Sequence, residues 1–142
     1  MLGYAGREPH EVFDRDGWFA TGDICSIRDA HVFFHGRRDA MIKTAGANVS
    51  PAEVEAALLT LPGIAEAHVL GVADPERGQV VGAILVPDDG AMLDRDTVLQ
   101  AVRPLLSSYK VPRKLVIVAA APATATNKLD RRAAVRLLDE QG

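Results

Sequence analysis

The sequence predicts an α+β fold, a short antiparallel or mixed sheet flanked by helices and preceded by a β-hairpin arm. Three observations predict it. Beyond residue 39 the elements run short strand, helix, strand, strand, helix, strand, helix, an order that lays helices over a sheet. The strand candidates are Val- and Ile-rich runs bounded by Gly, Pro and Asp, whereas the helix candidates carry apolar residues three and four apart. The composition is that of a globular protein: 142 residues, 48% hydrophobic and 25% charged. A chain of this size buries about 68–70% of the surface it exposes when unfolded. A disordered tail, a collagen-like fibre and a disulfide-stapled miniature are excluded.

The chain opens on irregular structure, because Gly3, Gly6 and Pro9 break any helix, and Asp16-Gly17 signals a turn. Ile24–Arg28 and His31–His35, joined by Asp29-Ala30, predict a small antiparallel pair. Gly36-Arg37-Arg38-Asp39 interrupts this pattern with polar residues and marks a boundary, giving units 1–38 and 39–142. Ser50-Pro51-Ala52-Glu53 is a helix start: the serine can accept from the Glu53 amide, Glu53 can reach back, and proline suits the first helical position. Val54, Leu58 and Leu61 share one face before Pro62-Gly63 ends the helix. Ile64–Val72 and Gln79–Val86 predict two strands around a turn at 74–78. Asp94–Val102 is helical by pattern, and Pro104 must end, kink or restart it. Leu115–Ala120 reads as a third strand. Asp130–Leu138 reads as a final amphipathic helix with Ala133, Leu137 and Leu138 as its apolar stripe.

A net charge of −3 supplies no global basic field for nucleic acid. The apolar runs fall far short of the ~20 residues that span a bilayer, and the N-terminus lacks the regions of a signal peptide. One cysteine, Cys25, permits no intrachain disulfide. A soluble cytoplasmic protein is expected. The four histidines, His10, His31, His35 and His68, have no ligand spacing with carboxylates or Cys25, so no protein-built metal site is expected.

Four segments are more polar or glycine-bearing than the fold needs. Trp18–Asp23 ends in a carboxylate that could grip a vicinal diol such as ribose, or could simply be a solvated turn. Gly36–Lys43 pairs a basic doublet with Asp39, a combination common in solvated turns. Thr44–Val49 is a loop of small residues in which Gly46 allows close backbone approach. Pro122–Arg131 carries Lys128 at a helix start, and a lone loop lysine is far more often surface than catalyst. Taken singly, these residues leave both readings open.

In this order and spacing, the series resembles the C-terminal part of the adenylate-forming superfamily, which includes acyl-CoA synthetases, peptide-synthetase adenylation domains and luciferase. Asp16–Ile24 is similar to "DGWFxTGDI", Gly36–Glu55 to "GRxDxxIKxxGxNVxPxEVE", Tyr109–Pro112 to "YKVP", and Pro122–Arg131 to "PxTxxGKxxR". The resemblance covers essentially the whole chain and leans toward acyl-CoA synthetases. It implies a small three-layer-like mobile lid, residues 39–142, preceded by the remnant of a large N-terminal domain, residues 1–38. Met1-Leu2-Gly3-Tyr4 resembles an internal stretch of such enzymes, so a fragment is expected. It would be inactive alone, because the phosphate loop, adenine segment and acyl pocket lie upstream.

The resemblance implies two half-reactions. A small carboxylic acid attacks the α-phosphate of ATP, supplied with Mg²⁺, and the CoA thiolate then displaces AMP. By motif match, Lys128 bridges carboxylate and phosphate oxygens, Asp23 holds the ribose hydroxyls with Arg37 beside it, and Asp39 is the hinge. Lys43, Gly46, Ala47 and Asn48 would face the site in the second half-reaction. Asn127 stands where the family has glycine, and Asn tolerates left-handed backbone angles best among the others. Arg131 would anchor the final helix. Alternatives are a peptide-synthetase or carrier-protein ligase lid and a free-standing binding module without catalysis. Cut from their large domain, residues 1–38 would leave Phe13, Trp18, Phe33 and Phe34 short of partners. The arm should then be poorly ordered or packed on a second copy as a swapped dimer.

Overall fold

A computed structural model describes Gly6 and residues 8–142; the expectations for Gly3 and for Met1–Tyr4 lie outside the described residues. The chain divides into two compact units, Met1–Asp39 and Ala40–Gly142.

The first unit corrects the expectation of an irregular start, because Pro9–Val12 forms a one-turn helix, α1. Proline's fixed φ fits the first helical position, where its missing N–H had no partner anyway. Asp14 then organises the expected turn: its Oδ1 accepts from the amides of Asp16 at 3.0 Å and Trp18 at 2.8 Å, and Gly17 supplies φ +80°. Strands β1 (Asp23–Arg28) and β2 (His31–Arg37) pair antiparallel. Asp29 and Ala30 both adopt positive φ, 48° and 62°, as a two-residue hairpin turn requires to match the strand twist. Strand β2 runs two residues beyond the expected His35, because a bulge between Ile24 and Cys25 restores register and lets Gly36 and Arg37 pair. Arg38–Ala40 then tightens into a 3₁₀ turn.

The second unit opens with a hairpin where one short strand was expected. Strands β3 (Ile42–Thr44) and β4 (Ala47–Val49) pair around Ala45-Gly46. Helix α2 (Pro51–Leu59) follows, with Val54 and Leu58 buried. Ser50 is its N-cap, but the expected capping box does not form: the serine side chain makes no cap hydrogen bond. The Glu53 carboxylate instead accepts from Lys110 Nζ at 2.5 Å, and Glu55 Oε1 accepts from the Val69 amide at 2.8 Å. These bonds tie α2 to a distant loop and to the sheet, and Glu53 is turned to Lys110 instead of to its own helix end. The Glu53 hydrogen bond raises the Lys110 pKa above its ordinary value. On the alkaline side, a raised lysine pKa means that the stabilisation by the ionised pair is fully present below the ordinary lysine range and is lost as pH climbs through the raised value.

Strands β5 (Ile64–Asp74) and β6 (Gly78–Pro87) form the long antiparallel ladder. Helix α3 (Arg95–Val102) ends in a 3₁₀ turn at Arg103–Leu105, the consequence of Pro104. Strand β7 (Lys114–Ile117) pairs parallel with β6, making the sheet mixed. It stops three residues short of the expected Ala120, after the Val118 amide makes the last bond, to Leu85. Helix α4 (Arg131–Gln141) is capped by Asp130, whose Oδ1 accepts from the Arg132 and Ala133 amides. Its buried stripe is Ala134 and Leu138, not Ala133 and Leu137, which are only half-buried.

Alternation along β6 separates two cores. Val81, Ala83 and Leu85 face Val54, Leu58, Val98 and Val102 of α2 and α3. Val80 and Ile84 face Ala134 and Leu138 of α4. The unit is therefore three layers, helices on both faces of a mixed sheet, and β6 is buried on both sides. Among the described residues, no helix is long and apolar enough to cross a membrane.

Candidate functional site

In the first unit, Asp23, Arg37 and Asp39 are brought together at one end of the β1–β2 ladder, where Asp23 pairs directly across from Arg37. The guanidinium Nε donates to Asp39 Oδ1 at 3.0 Å and lies 3.7 Å from Asp23 Oδ1 through NH1. The Asp39 hydrogen bond, reinforced by the Asp39 and Asp23 charges, holds the Arg37 pKa above its ordinary value. The Arg38 amide donates to Gly22 O at 2.7 Å and closes this end. A partly exposed carboxylate beside an exposed guanidinium suits a hydroxyl-bearing anionic ligand.

In the second unit, Lys128 sits on a small hairpin of its own. Ala123 and Leu129 pair as an antiparallel bridge. The Thr124 amide donates to Lys128 O at 2.7 Å, and the Asn127 amide to Thr124 O at 2.9 Å. This is a three-residue loop in which the last position needs a left-handed backbone. Asn127 occupies it with φ 56°. Thr124, the threonine of the "PxTxxGKxxR" match, had no role assigned from sequence; its Oγ1 accepts from the Lys128 amide at 3.2 Å. The hairpin borders a cleft of about 320 Å³ lined by Glu66, His68, Val86 and Lys128, with His68 Nε2 and Glu66 Oε2 2.9 Å apart.

Asn127 permits a graded test. Glycine at 127 removes the penalty of a left-handed residue and should leave the loop intact or slightly more stable. Valine should cost about 1–2 kcal/mol, since a β-branched residue resists that conformation. Thermal unfolding of the two variants beside the parent reads the difference.

Lys43, Gly46, Ala47 and Asn48 all lie on the β3–β4 hairpin. That hairpin meets β6 at Gly78, through Thr44, whereas the Lys128 cleft lies at Val86. Eight residues of extended strand separate the two, up to about 26 Å at ~3.3 Å per residue. The second unit thus carries two candidate loops at opposite ends of its central strand. Among the described residues, no group of three or more His, Cys, Asp or Glu side chains gathers to hold a metal.

A mixed sheet between helix layers, carrying a hairpin lysine at one end and a small-residue hairpin at the other, defines a class. The chain belongs to the AMP-binding enzyme C-terminal domain family, whose model matches residues 53–128. It is 40% identical over 132 residues to a feruloyl-CoA synthase of Amycolatopsis, covering 91% of this chain and 27% of that protein. The structure of ATP-bound MatB from Rhodopseudomonas palustris superposes with a TM-score of 0.81 at 30% identity, over 94% of this chain and 27% of that one. The o-succinylbenzoate CoA synthetase of Bacillus subtilis, solved with its acyl-adenylate intermediate, gives 0.77 at 33% identity over 89% of this chain and 26% of that one. The chain spans about a quarter of the length of these relatives.

Proposed function

We propose that this chain is the mobile C-terminal lid of an AMP-forming acyl-CoA ligase, with residues 1–38 as the end of the large N-terminal domain and 39–142 as the lid. The observation that carries the reading is the placement of the two candidate loops at opposite ends of β6. A body that presents first one end and then the other to a fixed site must turn between two half-reactions, and a hinge near Asp39 allows that turn. The ATP and the acyl-adenylate bound in two of the structural neighbours support the same assignment.

In the first half-reaction the acid's carboxylate attacks the α-phosphate of ATP, forming acyl-AMP and releasing pyrophosphate. Two anions must meet, so fixed positive charge is needed where negative charge accumulates. Lys128 supplies a compact ammonium on a flexible stem, suited to a group that arrives and leaves. Asp23 accepts from the ribose hydroxyls, and Arg37 balances its charge. Mg²⁺ travels with ATP as substrate, held mainly by its phosphates. In the second half-reaction the CoA thiolate attacks the acyl carbonyl and AMP departs. The β3–β4 hairpin then faces the site, with Gly46 and Ala47 leaving room for the narrow pantetheine arm and Lys43 turned toward the departing AMP.

The 142-residue chain alone should make no acyl-adenylate, whereas joined to a large N-terminal body it should release pyrophosphate in the presence of ATP and acid. A chimera with the corresponding body of the R. palustris enzyme is a practical form. Equal activity with and without the body would reject the lid assignment.

Trp18, Ile27, Val32 and Phe34 are 62–75% exposed on the first unit, an apolar surface that the N-terminal body covers in the intact enzyme. In the isolated chain, a second copy covers it through residues 1–38 as a swapped dimer. A monomer in sedimentation velocity would remove this part of the reading.

A further inference from the structure

We infer that Gln79 is a positioning residue for the thioester-forming step, seated over Gly71 so that it fixes the shape of the Lys43–Asn48 hairpin. The inference rests on the reading of that hairpin as the CoA-facing loop.

The base of the hairpin is held by Ile42 and Val49, both buried in the first core, and its exposed tip at Ala45-Gly46 has few ties of its own. Its strands are three residues each, and a two-stranded ribbon of that length is marginal in water. It joins the main sheet through a single register pair, Thr44 with Gly78. Its turn is also unfavourable. Ala45 and Gly46 both take positive φ, 46° and 80°, and alanine resists the left-handed region, so surrounding contacts must impose that conformation. Two hydrogen bonds do so. The Ala45 amide donates to Arg77 O at 3.1 Å. The Lys43 amide donates to the side-chain Oε1 of Gln79 at 2.9 Å, across 36 residues of sequence.

The end of the Gln79 side chain lies over Gly71, in space that a larger residue at 71 would make it give up. A Cβ there would lie 2.9 Å from both Cδ and Nε2 of Gln79. Gly71 has no positive φ in this structure, so its place is explained by the space it leaves and not by backbone freedom. Gly71, Gln79 and the Lys43 amide form one relay from the core ladder to the loop. Misplacing a substrate-facing loop by about 1 Å costs up to about 100-fold in rate.

The test uses the intact ligase with isolated acyl-adenylate and CoA in single-turnover transfer, beside pyrophosphate release for the first half-reaction. Gln79→Leu removes the acceptor and should slow transfer about 10- to 100-fold, with the loss falling on transfer and not on adenylate formation. Gln79→Glu keeps an acceptor oxygen at the same reach and should restore most of the rate. Gly71→Ala displaces the far end of the flexible Gln79 side chain and should slow transfer in the same direction but by less than Gln79→Leu, and it serves if the leucine variant fails to fold. Equal losses in both half-reactions that glutamate does not rescue would mean a structural role only and overturn the proposal; so would normal transfer by Gln79→Leu. Gly46→Val, which fills the loop tip, separates the two levels. If it slows transfer while Gln79→Leu does not, the hairpin reading stands and the anchor falls. If neither variant slows transfer, the hairpin reading falls as well.

Discussion

Lys128→Ala in the intact ligase should slow acyl-adenylate formation by about 10²–10³-fold, or roughly 3–4 kcal/mol of transition-state stabilisation, the loss typical when one preorganised charge contact is removed. The magnitude follows from how the residue is held. Its backbone is fixed on both sides, by Thr124 through the Lys128 amide and carbonyl and by the Ala123–Leu129 bridge. Its side chain remains exposed and free to meet a ligand presented from outside. A group so placed needs no folding role, so the variant should keep the parent's unfolding midpoint while losing adenylation. Lys128→Arg should recover only part of the rate, because a planar fork does not reproduce a compact ammonium between two oxyanions. Pyrophosphate release in the first turnover is the measurement. Near-normal adenylation by the alanine variant would reject the assignment of Lys128 and, with it, the cleft beside it as the adenylate-facing end.

What could be read in the sequence depended on how local the cause was. Strand β6 is an apolar run of Val, Ile, Leu and Ala, interrupted only by Gly82, because both of its faces are covered, and such a run announces itself. The β1–β2 hairpin was legible for a similar reason, two β-rich runs separated by two residues. The β3–β4 hairpin was not. Its strands are too short for alternation to show, and Ala45-Gly46 lacks the Asn-Gly signature of a tight turn. The capping box failed because Ser50 and Glu53 answered to a local rule while Glu53 had a tertiary partner in Lys110, 57 residues away. The stripe of α4 was misplaced by about one position, which depends on where the helix packs and not on composition. Lys128, Asp23 and Asp39 were candidates through motif resemblance, since chemistry alone left each as solvated surface. Of the residues that hold the loops, Thr124 showed only as a letter of the motif and Gln79 carried no signal, because their partners are fixed only by the fold.

The largest effect on stability is expected at the contact between Gly82 and Leu138. Leu138 is fully buried, the side chain by which α4 closes the second core. Leu138→Ala should cost about 2–5 kcal/mol, transfer and cavity terms together. Gly82 lies opposite, in the middle of β6. A Cβ there would come within 2.7 Å of Val72 Cγ2 and 2.8 Å of Leu138 Cδ1, closer than real contacts allow, so Gly82→Ala should cost about 1–3 kcal/mol by overpacking. The two changes share one space. In the double variant the new methyl occupies part of the volume the leucine vacated, so the combined loss should fall short of the sum by about 0.5–3 kcal/mol. Urea unfolding of the four proteins, with equal slopes, reads the cycle. Strict additivity would show that helix and strand do not compete for that volume. The consequence reaches the site as well. The Asp130 amide, at the cap of α4, donates to Pro122 O at 2.8 Å and closes the base of the Lys128 hairpin. Loosening the helix at Leu138 should therefore weaken the platform from which the lysine is presented, and adenylation should decline with helix stability while the Gln79-anchored hairpin at the other end of β6 keeps its shape.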